Sequence, residues 1–176
     1  GATMGHLSLS VTANGAITQS GRLYIAGNTT LAAGAANNIT LDNANNAFFY
    51  TVSVTSANNV TLVSQDEIGG IDLGASTVSG NLNITIVGMG PNNISNSGTL
   101  TVAGATSIYA RDITLNNAAN DFVGAVSVVS GNNVTLVDAN AIDLGASTIS
   151  GTLNVTASGA ITDSGNLSVA GATTLA

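Results

Sequence analysis

Short apolar–polar–apolar triplets recur along the whole chain. They include Leu23-Tyr24-Ile25, Ile39-Thr40-Leu41, Val52-Ser53-Val54, Val60-Thr61-Leu62 and Ile71-Asp72-Leu73. The same pattern returns at Leu100-Thr101-Val102, Ile113-Thr114-Leu115, Val126-Ser127-Val128, Val134-Thr135-Leu136 and Ile142-Asp143-Leu144. Each triplet sets two apolar side chains on one face and a polar one on the other, the period of a half-buried strand. Asn-Asn, Ser-Gly, Ala-Gly and Gly-Asn pairs separate the triplets and supply turn chemistry. No stretch holds apolar residues at helical spacing over three turns, so the pattern predicts an all-β chain with essentially no helix.

The triplets sit inside a longer repeat. Leu9-Ser10-Val11-Thr12 matches Leu82-Asn83-Ile84-Thr85 and Leu153-Asn154-Val155-Thr156. Residues 15–21 return at 159–165, residues 74–80 at 145–151, and residues 58–63 at 132–137, while Phe48 matches Phe122. The organisation is one solenoid over 7–176 with units at about 9–81 and 82–152 and a partial unit at 153–176. The partial unit stops at Thr173-Thr174-Leu175-Ala176, the counterpart of Thr29-Thr30-Leu31-Ala32, so the sequence is expected to continue beyond it. Residues 1–6 read as a cloning remnant.

Two architectures suit short strands and frequent turns: a string of β-sandwiches or a parallel β-helix. A sandwich of about 72 residues needs bulky side chains between two sheets. Aromatic residues are only 3% of this chain, and Trp is absent. The narrow interior of a coil suits Val, Ile, Leu and Ala, with Asn stacking at corners. The reading is therefore a right-handed parallel β-helix, its hand taken from the crossover rule. Coils of roughly 20–24 residues spaced ~4.8 Å apart give about three per unit and about eight in all. Open strand edges at the two ends predict end-to-end self-association.

Charge narrows the function. The net charge is −7, Arg22 and Arg111 are the only basic residues besides His6, and Lys is absent. Nucleic acid and anionic membrane surfaces both need a basic stripe and are excluded as partners. No apolar run is long enough for membrane insertion. Without Cys there is neither a disulfide framework nor a thiolate metal site.

Candidate chemistry is sparse. His6, the one histidine, lies at the presumed remnant, so no Ser-His-Asp arrangement is expected. The acids are Asp42, Asp66, Glu67, Asp72, Asp112, Asp121, Asp138, Asp143 and Asp163. Asp72 and Asp143 are repeat copies and read as outward solubilising acids. Asp66 and Glu67 occur in one unit only; they read first as a solvated loop and second as a calcium site. Residues 88–91, Gly-Met-Gly-Pro, form a turn insertion without the Lys and helix of a phosphate loop. Asn-x-Ser/Thr sequences at Asn28, Asn38, Asn59, Asn83, Asn93, Asn133, Asn154 and Asn166 follow from Asn turns entering Thr- or Ser-bearing strands. No catalytic residue and no cofactor is assigned.

The run Leu-Asn-Val-Thr-Ala-Ser-Gly-Ala-Ile-Thr-Asp-Ser-Gly-Asn-Leu-Ser-Val-Ala-Gly at 153–171 resembles the repeat regions of filamentous-haemagglutinin-like exoproteins. These are the two-partner-secretion and autotransporter adhesins of Gram-negative bacteria. The resemblance extends from Leu9 onward and rests on repeat texture. It implies a right-handed parallel β-helix, export to the bacterial surface or medium, and a part in adhesion, aggregation or biofilm. A host or cell-surface glycan or a protein receptor would be the partner. The expectation is a structural or adhesive shaft and not an enzyme. The alternatives are a polysaccharide-lyase-like β-helix, which needs clustered acids with a base, and an ice- or surface-binding solenoid. The latter needs a regular threonine face, and Thr30, Thr40, Thr61, Thr101, Thr114 and Thr135 show no single Thr-x-Thr column.

Overall fold

Period-2 alternation makes strands, and alternation at a near-constant interval stacks them. The computed structural model, which describes residues 7–65 and 70–176, is built of parallel strands, with no helix among the described residues. The first sheet has nine strands, running in chain order: Leu9–Thr12, Thr29–Ala32, Thr51–Ser56, Ile71–Leu73, Ile94–Asn96, Ile113–Leu115, Val134–Asp138, Leu153–Ala157 and Thr173–Leu175. The second has eight: Ile17–Thr18, Ile39–Leu41, Val60–Gln65, Leu82–Val87, Thr106–Tyr109, Val126–Ser130, Ile142–Leu144 and Ile161–Asp163. The chain alternates between the two, and each strand lies beside the strand one turn earlier. That is a β-solenoid of about eight turns.

Like stacks on like inside. On the first sheet Ile71, Ile94, Ile113, Val134 and Leu153 form one inward column. On the second, Leu41, Leu62, Ile84, Ile108 and Val128 form another. All ten are buried. Each contributes about 1.5–3 kcal/mol by leaving water, and its partners are the turns directly above and below. Parallel strands need a crossover; here the return path through the opposite sheet supplies it, with steps such as 23 residues from Ile71 to Ile94 and 19 from Ile94 to Ile113.

The repeat and the turn do not coincide. Leu9 and Leu153 lie on the first sheet, whereas their counterpart Leu82 lies on the second. The strands of Leu9 and Leu153 are the first and eighth of the first sheet, so two units span seven turns and one unit spans three and a half. This corrects the expectation of about three turns per unit. The reason is chemical equivalence: both sheets need the same apolar–polar–apolar triplet, so either can receive it. Three short sheets complete the wall. Tyr24–Ile25 with Ala47–Phe48, and Ser147–Ile149 with Leu167–Val169, follow the second sheet in their turns. Ser76–Val78, Leu100–Val102 and Asp121–Phe122 instead fall between the first sheet and the second. The short wall thus switches edge with each unit.

Corners are held by amides and glycine. Asn38 Oδ1 accepts from the Asn59 N–H, Asn59 Oδ1 from the Asn81 N–H, and Asn81 Oδ1 from the Ala105 N–H. In the next unit Asp112, Asn133 and Thr152 take the places of Asn38, Asn59 and Asn81 in the same ladder. Gly80, Gly104 and Gly124 stack at a corner so closely that a Cβ on Gly104 would lie 2.5 Å from the Gly80 carbonyl. Only glycine permits that approach.

Candidate functional site

The repeated acids are more than solubilising. Asp72 sits outward on the first sheet, as expected, but both its oxygens bond across turns. Oδ2 accepts from Thr51 Oγ1 at 2.9 Å and Ser97 Oγ at 2.6 Å, and Oδ1 accepts from the Ser97 N–H at 2.8 Å and Ser95 Oγ at 3.3 Å. Asp143, on the second sheet, accepts from Ser164 Oγ at 2.5 Å and Thr162 Oγ1 at 3.3 Å. Ser95 lies in the first strand of the first sheet in the second unit and Ser97 just after it, and Thr162 and Ser164 lie early in the third. The acid near the end of one unit therefore brackets hydroxyls near the start of the next. The outward placement stands, and the hydrogen bonds add a second role: the Asp72 carboxylate links three adjacent turns and that of Asp143 two.

The remaining acids are dispersed. Asp112 accepts the Asn133 N–H at 3.0 Å and the side-chain amides of Asn132 and Asn133 at 3.0 and 3.1 Å. Burial pushes its carboxyl up, but these three donors and then the Arg111 guanidinium outweigh that and hold it below the ordinary carboxylate value. Asp138 is buried and accepts the Phe122 N–H at 2.8 Å and the Asn140 N–H at 2.7 Å. Ser64 does the first of these jobs in the first unit, accepting the Phe48 N–H at 3.4 Å. Asp42 and Asp163 are exposed and Asp121 is half-buried. Among the described residues no group of three or more His, Asp or Glu could hold a metal ion. His6, and Asp66 and Glu67 with their calcium reading, lie outside the described residues. Three of the Asn-x-Ser/Thr asparagines, Asn38, Asn59 and Asn133, are spent in the corner ladders. The threonines of the surface-binding reading are divided among faces: Thr40 and Thr61 pair on the second sheet, Thr114 and Thr135 on the first, and Thr101 lies on a short sheet.

Both arginines sit beside an exposed tyrosine. Arg22 lies over the Tyr24 ring, 5.2 Å from its centroid, and Tyr24 meets Phe49 at 4.8 Å with the rings tilted by 58°. In the second unit Tyr109 and Arg111 are 44% and 62% exposed, the latter as a side chain. Tyr109 ends the strand Thr106–Tyr109, where the register slips so that it faces Ser130 and leaves Val129 bulged outward. Tyr109 lines two depressions, one of 370 Å³ on the outer face of the second sheet and one of 270 Å³ at the corner that follows it. Neither was assigned from the sequence. The available signal was departure from the repeat: Tyr109 stands where the first unit has Ala32.

Compared with known proteins, three successive stretches, 1–55, 57–129 and 131–176, match the model of a family described as repeats of unknown function (DUF5649). The second and third stretches begin at Ala57 and Gly131, equivalent corner positions that bridge to Val78 and Ile149. No curated protein and no solved structure matches the chain.

Proposed function

The chain belongs to the DUF5649 family of repeats, and on that premise we propose that it is a shaft segment of a large secreted or surface-exposed bacterial adhesin. The filamentous-haemagglutinin-like resemblance of residues 153–171 points the same way. One observation carries the reading: the core is a column without a private centre, in which every turn is the hydrophobic partner of the next. Such a molecule gains length by adding units and loses no stability in doing so. A spacer that holds an adhesive tip away from a cell needs that property and needs no catalysis. Arg22 and Arg111 lie in different units, far from a lyase-like cluster of acids around a base. Among the described residues, Leu9–Thr12 and Thr173–Leu175 pair on one side only, and two copies of this 176-residue chain would meet through such open edges.

Reach tests the proposal. With the chain displayed on a bacterial surface and an epitope at its outer end, each inserted three-and-a-half-turn unit should raise the epitope by about 17 Å. Unchanged height on adding units would contradict a shaft.

A further inference from the structure

In a repetitive wall, a site made for a ligand should appear where the units differ. Four differences converge near Tyr109. The first unit has Ala32 where Tyr109 stands and Thr55 where Val129 bulges. Arg111 takes the place of Asn37 and comes directly after Ala110, because the first unit's longer 33–38 turn has been shortened. Residues 88–91 are inserted before Asn92, which has φ 51° and donates from Nδ2 to the Gly88 carbonyl at 3.0 Å. These positions are distant in sequence and meet across three neighbouring strands of the second sheet, Leu82–Val87, Thr106–Tyr109 and Val126–Ser130.

We propose that these two depressions together bind a neutral, linear oligosaccharide that crosses the Tyr109 ring from one to the other. Their walls carry the hydrogen-bonding groups of Asn83, Thr85 and Ser107 on one side of Tyr109 and of Ser130, Asn132 and Ser150 on the other. Amides and hydroxyls on both sides of an exposed ring suit a ligand with hydroxyls on its rim and C–H groups on its face. Charge sets the sign. The guanidinium of Arg111 is offset by the Asp112 carboxylate, with Nε 3.9 Å from Oδ2, and the chain as a whole carries −7. The groove is therefore close to neutral on an acidic molecule, which disfavours uronic or sialic acids.

The proposal rests on the shaft reading, since it names what such a shaft would hold at its side. The test is an amide chemical-shift titration of the whole chain with cellotetraose, maltotetraose and chitotetraose as neutral probes and tetragalacturonate as the acidic one. At least one neutral probe should give saturable shifts at residues 83–87, 107–111 and 129–132. Tyr109→Ala should weaken that binding about tenfold or more, while Tyr109→Phe retains it. Tyr109→Ala should fold, because Ala32 occupies the equivalent place. No saturable shift with any neutral probe at about 10 mM overturns the proposal. So do shifts that ignore Tyr109→Ala, or tighter binding of tetragalacturonate. A silent groove leaves the epitope-reach result standing, and a flat reach result leaves the titration standing.

Discussion

Thr29 and Thr106 are each 1% exposed and occupy the same place in successive units, pointing into the aliphatic interior. Their hydroxyls have no hydrogen-bond partner. A buried, unmet hydroxyl costs more than the methyl that would replace it. Thr29→Val and Thr106→Val should each stabilise the chain by about 1 kcal/mol, seen as higher midpoints in urea with an unchanged slope. A related flaw separates two amide pairs. Gln19 and Asn46 bond reciprocally, Nε2 to Oδ1 at 2.8 Å and Nδ2 to Oε1 at 2.7 Å. Their counterparts Asn96 and Asn120 make one bond, at 2.8 Å, and leave Asn96 Oδ1 and Asn120 Nδ2 unmet. Asn96 is one methylene short. Asn96→Gln should close the pair and add about 1 kcal/mol, measured in the same way; a loss of stability would show that the corner cannot hold the longer side chain.

At the scale of elements, the corner ladders couple stability to acidity in one unit only. Asp112 stands where the first unit uses Asn38, and its folded-state carboxyl is held below the unfolded value. Its contribution is therefore complete above the unfolded value, near pH 4, and is lost as pH falls through the lower folded value. Asp112→Asn should narrow its stability gap to the parent chain between about pH 5 and pH 2, read from urea midpoints across that range. A gap that widens toward low pH would contradict this. Triplets such as Ile39-Thr40-Leu41 and Ile113-Thr114-Leu115 were legible as strands, because two apolar flanks around a polar centre admit one burial pattern. Which sheet each joins was not legible. These two triplets have the same sequence yet lie on the second and first sheets, respectively. The bracketing by Asp72 was hidden because its partners lie 21 and 25 residues away, in turns whose alignment depends on loop lengths. The Tyr109 groove was hidden for a related reason: its walls come from four turns, and only the stacking register brings them together.

For the whole molecule, the half-integral repeat has consequences that no single unit shows. Equivalent surface features of neighbouring units face opposite sides of the rod, so a feature returns to the same side only after two units. A solenoid built this way averages its lateral chemistry over both faces while keeping one interior. All of this depends on continuous parallel stacking from the first turn to the last. The most direct check is a pulsed electron–electron distance between spin labels at Ser10→Cys and Asn154→Cys. Both positions point outward on the first sheet, seven rungs apart. The expected result is one narrow distribution centred near about 34 Å, seven spacings of ~4.8 Å. A broad distribution, or a separation far from that value, would mean that the units fold as independent modules and would contradict the stacked column.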